Sequence, residues 1–147
     1  MQRKNRTLTL SLAFTTIFAI ALAILTLFAP WIVEFLCVLF HRDHLIKFLT
    51  VVTYLAVPAG WGAIIILYKI LLNVDKGNVF EEENVKYLSI LSWLCIYVGL
   101  LSGFASHKFI MFIIVSIAAL FIGLIVRVVR NIIEEAILLK EDSDLTI

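Results

Sequence analysis

The chain has 147 residues and a formal net charge of +1, and 63% of its residues are hydrophobic while only 16% are charged. Because an average soluble domain is about half apolar and about a quarter charged, this composition and a mean hydropathy of +1.07 exclude an ordinary soluble domain. The length fits one small domain. Of the two cysteines, Cys37 lies beyond the first apolar run and Cys95 lies inside the third, so their depths do not fit a disulfide.

Charged residues are missing from four long stretches of the sequence. A helix needs about 20 mainly apolar residues to cross the roughly 30 Å hydrocarbon layer of a membrane. We therefore predict a single all-α membrane domain with four transmembrane helices, arranged as two helical hairpins. The predicted spans are residues 7–29, 46–68, 87–106 and 109–127.

The first span follows a basic segment at residues 1–6. Its apolar run is longer than the roughly 7 to 15 residues of a signal-peptide core, so we predict an uncleaved span. Pro30 is expected to kink this helix. The apolar segment from Pro30 to His44 is then expected to lie in the membrane interface or to pack across the mouth of the bundle. In the second span, Pro58 is expected to produce a second kink near Tyr54.

Three histidines fall near the predicted outer connections. His41 and His44 lie close in sequence to Asp43 and Glu34, and His107 lies in the second outer loop. These side chains are of types that bind metal ions, but no ligand spacing of the His-Glu-x-x-His kind is present. The sequence favours polar interfacial residues around a turn and leaves open whether the histidines bind anything.

The longest polar interruption in the chain is the connection predicted at residues 73–86. Gly77 can take the positive φ angle that ends a helix, and we expect the next helix to restart near Phe80. The acidic run Glu81-Glu82-Glu83 then lies at the positive end of the helix dipole. This connection therefore predicts a sharp helix end followed by an acidic first turn.

Small residues at helical spacing indicate where helices approach each other closely. In lipid, helix association depends on packing and hydrogen bonds, because the surrounding chains are as apolar as the helix. The predicted packing positions are Ala56, Gly60, Gly99, Gly103, Ala119 and Gly123. We favour packing within one chain over a homodimer.

No aspartate, glutamate, lysine, arginine or histidine lies near the middle of any predicted span. Ion-coupled transporters and proton relays usually keep one there, because a charge in hydrocarbon is costly. The serines of the spans also lack a histidine, lysine or aspartate at matching depth. We therefore predict a protein that is not an enzyme and has no cofactor.

The fourth helix is expected to continue into a tail at residues 128–147, because the sequence from Arg127 to Lys140 contains no helix breaker. A helix from Phe109 to Lys140 would be close to 50 Å long at about 1.5 Å per residue, so it must project from the membrane. Arg130 is expected to pair with Glu134 one turn on. The apolar face of the extended fourth helix is expected to pack against the inner loop, a second copy of the chain, the membrane surface or another protein. The residues of this face are Ile125, Val129, Ile132, Ala136 and Leu139.

Lysine and arginine are unevenly divided between the two sides of the predicted bundle. With the N-terminus inside, nine of them fall on the inner side and three, Arg42, Lys47 and Lys108, on the outer side. The positive-inside rule therefore predicts both termini and the central loop in the cytoplasm.

Several of these features together resemble a known family, family 2975 of the domains of unknown function. The residues that carry the resemblance are Gly77, Phe80 and Asn84 of the central loop, Glu134 and Glu135 of the arginine-rich exit, and the terminal segment 144–147. The resemblance covers most of the chain and implies a small bacterial membrane protein with four spans. It also suggests a partner, since family members are often encoded beside a small helix-turn-helix regulator of the Cro/C1 type.

We expect a multi-pass protein of the bacterial cytoplasmic membrane that contacts the lipid bilayer and does not bind nucleic acid itself. Its expected role is to tether a cytoplasmic DNA-binding regulator, or to act as the partner of that regulator and respond to a membrane or external signal. Its acidic groups would meet the basic surface of such a partner, with Phe80 as an apolar anchor. The residues predicted to bind the partner are Phe80, Glu82, Asn84, Glu134, Glu135, Asp142 and Asp144. Two alternatives stay open: a transporter or bacteriocin-immunity protein, and a structural subunit of a membrane complex.

Overall fold

The computed structural model describes residues 2–145, with side chains from Asn5 onward. The side chains of Arg3 and Lys4 in the basic segment, and Thr146 and Ile147 at the end of the predicted tail, lie outside the described residues. The helices are α1 (Gln2–Leu39), α2 (Ile46–Asp75), α3 (Glu82–Ser106) and α4 (Phe112–Leu145), and a 3₁₀ turn at Asp43–Leu45 precedes α2. Each of the four helices is long and apolar enough to cross a membrane, and the described chain contains no strand. The predicted all-α, four-span architecture is confirmed.

The helices follow one another in space as they do in sequence. α1 packs against α2, α2 against α3 and α3 against α4, and the contact between α3 and α4 is the most extensive. The backbones of α1 and α4 do not approach each other closely, so these are the edge helices. We call the end with the α2–α3 connection, residues 76–81, the loop end, and the opposite end the turn end. Because neighbouring helices run in opposite directions, α4 finishes at the loop end.

The helix α1 continues through Pro30 to Leu39, beyond residue 29 where the sequence analysis ended the first span. Pro30 is exposed, whereas Ala29, Val33 and Cys37 are buried at a spacing of four residues. One face of the helix is therefore packed on both sides of the proline, which offsets the backbone hydrogen bond that proline removes. The segment after Pro30 thus continues α1 as a packed helix.

A small core at the turn end holds the two hairpins together. Its buried members are Val33, Cys37, Leu45 and Leu49, with Phe109 and Phe112 packed against them. The Phe40 and Phe109 rings meet edge to face with 5.5 Å between their centroids. Between these elements the chain reverses at His41, whose φ angle is 54°. The core therefore joins the α1–α2 turn to the start of α4.

Within the spans, side-chain hydrogen bonds connect α2 to the neighbouring helix on either side. Trp61 Nε1 donates to Thr26 Oγ1 of α1 at 3.3 Å. Tyr97 of α3 donates its hydroxyl proton to the Leu55 carbonyl at 3.2 Å, three residues before Pro58. A proline ring disturbs the carbonyls of the preceding turn, so this hydroxyl supplies a donor close to where the helix loses one.

The contact between α3 and α4 contains the same hydrogen bond twice. Ser92 of α3 donates to the Gly123 carbonyl of α4 at 3.0 Å, and Ser116 of α4 donates to the Gly99 carbonyl of α3 at 2.7 Å. In each helix the serine precedes the glycine by seven residues, which is about two helical turns, so both lie on one face. The two antiparallel helices are thus related by a local two-fold arrangement of serine and glycine.

The glycines of this contact lie where an added side chain would be crowded, most severely at Gly99. A Cβ atom at Gly99 would lie 2.7 Å from Leu120 Cγ, one at Gly103 would lie 3.0 Å from Ser116 Oγ, and one at Gly123 would lie 3.2 Å from Cys95 Cβ. The predicted packing glycines of α3 and α4 thus lie on their shared contact. Gly60 lies between α2 and α1, against Leu22, while Ala56 and Ala119 are half-buried.

Candidate functional site

The loop end begins where α2 stops at Asp75, just before the predicted stop at Gly77. Gly77 has a φ angle of 80°, the conformation expected for a glycine that ends a helix. Its amide donates to the Val74 carbonyl at 3.1 Å, and the Asn78 amide donates to the Asn73 carbonyl at 2.9 Å. These bonds satisfy carbonyls of the last helical turn and fix the direction of the loop.

Asn84 lies beneath this loop and is only 2% exposed. Its amide nitrogen donates to the carbonyls of Asn78 and Val79 at 2.7 and 2.9 Å. Its side-chain oxygen accepts a hydrogen bond of 2.9 Å from Asn73 of α2. Asn84, predicted as a partner-binding residue, is thus placed under the loop, where it joins the end of α2 to the start of α3.

The loop surface itself is acidic and carries one large apolar side chain. Phe80 is 53% exposed, and the three glutamates that follow it are exposed. Glu82 and Glu83 lie in the first turn of α3, where negative charge interacts favourably with the helix dipole. Glu83 also accepts a hydrogen bond of 2.8 Å from the Tyr87 hydroxyl. Phe80 and Glu82 therefore face outward at the loop end.

A groove of about 270 Å³ lies between the start of α3 and the extension of α4. It is lined by Glu82, Val85 and Lys86 of α3 and by Arg130, Glu134, Ile137, Leu138 and Glu141 of α4. Arg130 forms an ion pair of 3.1 Å with Glu134, as the spacing predicted, and also donates to Asn131 at 2.9 Å. We call this feature the α3–α4 groove; it combines three acidic and two basic side chains with the apolar side chains of Val85, Ile137 and Leu138.

The opposite side of α4 forms a second, more apolar surface. Ile132 and Leu139 are 61% and 62% exposed there. Together with Val128, Asn131, Glu135 and Ala136 they border a shallow hollow along the helix. Consecutive residues on a helix differ by about 100° in direction, so Glu134 and Glu135 lie on different sides of α4. We call this second surface the free face of α4.

Asp142 and Asp144, the last predicted partner-binding residues, are exposed in the final turns of α4. α3 begins beside Glu134 and Glu141, so α4 runs past it to Leu145. The loop, the α3–α4 groove and this terminal stretch therefore share one end of the molecule.

Two cations lie over aromatic rings on the loop-end side of the helices. Arg127 lies 5.0 Å from the centroid of the Trp93 ring, and Lys69 lies 5.7 Å from that of Tyr87. A cation over an aromatic face is attracted by the electrons of the ring, and both residue types are frequent at membrane interfaces. These pairs were not predicted, because each joins residues from two different helices.

A cavity of about 250 Å³ lies between the four helices toward the turn end. Ala56 is among its lining residues, and the only polar side chains that line it are those of Thr53 and Ser102. The Thr53 hydroxyl already donates to the Leu49 carbonyl at 2.8 Å. The cavity is therefore suited to apolar groups.

The three histidines are exposed at the turn end. Within residues 2–145, no group of three His, Cys, Asp or Glu side chains is placed to hold a metal ion.

Comparison with known proteins gives one match. Residues 9–147 match the model of the family described as a protein of unknown function, DUF2975. No curated protein and no solved structure matches the chain. Because the match covers nearly the whole sequence and the four apolar helices fit the membrane architecture implied by the resemblance, the chain belongs to the DUF2975 family.

Proposed function

We propose that this membrane protein tethers a cytoplasmic DNA-binding regulator through its loop end. The observation that carries the proposal is the α3–α4 groove, where exposed carboxylates border the apolar side chains of Val85, Ile137 and Leu138. Partner recognition commonly combines an apolar contact with a charged rim. Phe80 adds a second apolar contact beside the groove.

The charge of this surface favours a basic partner. Among the residues that line the groove, the carboxylates of Glu82, Glu134 and Glu141 outnumber the cations of Lys86 and Arg130, and Glu81 adds negative charge on the loop. A protein that binds DNA carries lysine and arginine against the phosphates, so its binding surface is complementary to an acidic one. Bound here, the regulator would be held at the membrane with its DNA-binding surface covered.

The proposal requires the loop end to face the cytoplasm. The uneven division of lysine and arginine supports that orientation. Arg127 over Trp93 and Lys69 over Tyr87 add support, since basic and aromatic side chains at this level suit the headgroup region.

Cysteine labelling tests the orientation. In a chain with Cys37 and Cys95 replaced by alanine, we expect Asn78→Cys and Ser143→Cys to resist an impermeant thiol reagent in intact cells and Asp43→Cys to react. Disrupted cells provide the control, because all three sites are exposed and should then react. Labelling of Asn78→Cys in sealed cells would place the loop end outside and exclude the tether.

Co-purification from a mild-detergent extract tests the tether itself. Reversing two charges of the groove with Glu82→Lys and Glu141→Lys should abolish co-purification of a basic partner, because opposite charges at the contact become like charges. Phe80→Ala should weaken binding by a similar amount at low and high salt, because it removes apolar contact area. The ionic part of the contact in the unchanged protein should weaken as the salt concentration rises.

The matched control is Glu34→Lys, which changes an exposed acidic residue near the turn end. It should leave the partner bound. A partner retained by both the charge-reversed variant and Phe80→Ala would exclude this surface as its binding site. Recovery of no cytoplasmic protein would shift the preference to transport or immunity through the apolar central cavity.

A further inference from the structure

The free face of α4 lacks a neighbour within the chain. Only α3 brings its backbone close to α4, and the residues that pack between them near the loop end are those of the α3–α4 groove. On the other side of α4, Ile132 and Leu139 remain largely exposed. A helix with an uncovered apolar stripe in water gains stability when another surface covers it.

The apolar residues along this side of α4 have the spacing of a coiled coil; Ala136 is half-buried and the others are exposed. Val129, Ile132, Ala136 and Leu139 are separated by three, four and three residues. This is the alternation of the two core positions of a heptad, with Val129 and Ala136 at one and Ile132 and Leu139 at the other. In this register Glu134 and Glu141 lie opposite the core positions, on the side of the α3–α4 groove.

We propose that the free face of α4 binds the free face of α4 in a second copy of the chain, as a short parallel coiled coil. Two copies inserted in the same membrane have the same orientation, so their α4 helices emerge parallel and level. The same stripe continues toward the membrane through Ile125 and Ile122, which are 46% and 51% exposed. The contact can thus extend along α4 from the span into the water-exposed extension.

Charge complementarity supports the second copy as the occupant. In the proposed register Glu135 and Lys140 flank the core, five residues apart. In a parallel coiled coil, flanking residues five apart face each other across the interface and form interhelical salt bridges. Among the described residues neither side chain has a hydrogen bond or ion pair. Two copies would form the Glu135 to Lys140 pair twice.

This arrangement leaves the α3–α4 groove open, because the groove lies on the other side of α4. The dimer therefore does not depend on the proposed regulator. It also gives Glu135, predicted as a partner-binding residue, a role between two copies of the chain.

Disulfide cross-linking in native membranes tests the contact. In the chain with Cys37 and Cys95 replaced by alanine, Ile132→Cys and Leu139→Cys should each form a cross-linked dimer under mild oxidation, because core positions of a parallel pair lie close together. Glu134→Cys is the matched control at the same level on the opposite side, and it should cross-link several-fold less. Equal cross-linking at Ile132→Cys and Glu134→Cys, or a cross-linked product of another mass, would overturn the proposal.

Charge exchange tests the register. In the Ile132→Cys chain, Glu135→Lys and Lys140→Glu should each lower the cross-linked fraction by roughly fivefold, since each places like charges at both symmetry-related pairs. The double exchange restores opposite charges and should recover dimer formation. A double variant no better than the single variants would overturn this pairing and with it the proposed coiled coil.

Discussion

We expect Gly99→Ala to destabilise the protein in detergent by about 2 kcal/mol, because overpacking a close contact usually costs about 1 to 3 kcal/mol. The added Cβ would lie 2.7 Å from Leu120 Cγ and Cδ2 and 3.2 Å from the Leu120 backbone nitrogen. A side chain can rotate away, but the backbone atom moves only with its helix. The two helices would separate and stretch the 2.7 Å bond from Ser116 to the Gly99 carbonyl.

Thermal unfolding in one detergent measures this effect, and Gly62→Ala is the matched control. Gly62 also lies in a helix, but its added Cβ would meet only the tip of the Leu94 side chain, at 3.2 Å. Alanine favours a helix over glycine by up to about 1 kcal/mol, so Gly62→Ala should be neutral or stabilising. If Gly99→Ala is as stable as Gly62→Ala, then α3 and α4 do not cross as described.

The sequence predicted the presence of this crossing but not its hydrogen bonds. Gly99 and Gly103 marked α3, and Gly123 marked α4, because small residues permit close backbones. The serines were considered only as catalytic candidates. The sequence feature that could have predicted these hydrogen bonds is the repeated spacing of seven residues from Ser92 to Gly99 and from Ser116 to Gly123.

The helices were easier to predict than their ends, because an uncharged run indicates only the part of a helix that lies in hydrocarbon. α1 extends past Pro30 because Val33 and Cys37 pack on residues of α2, a contact between segments that no local pattern reveals. The partner-binding hypothesis shows the same limit. Exposed Phe80 and buried Asn84 are four residues apart in one polar stretch, and no local pattern indicates which of them faces outward.

Asn84→Leu should therefore act on the loop and not on the spans. The change keeps the number and branching of the side-chain heavy atoms but removes three hydrogen bonds, to Asn73 and to the carbonyls of Asn78 and Val79. Buried polar groups left without partners typically cost about 1 to 3 kcal/mol each. Because Asn78 is exposed, its carbonyl can bind water instead, so we expect the free energy of unfolding to fall by about 2 kcal/mol.

Limited proteolysis of the loop and thermal unfolding together check this prediction. Asn84→Leu should make residues 76–81 more sensitive to protease as well as lowering the stability, because Asn84 is what ties the loop to α2. Asn78→Ala is the control, since Asn78 takes part through its backbone and its exposed side chain can be removed without breaking these bonds. Equal protease sensitivity in the two variants would mean that the loop is held by Gly77 and the helix ends alone. If Asn84→Leu also releases a bound partner while Asn78→Ala does not, Asn84 acts on binding indirectly, by positioning Phe80 and Glu82.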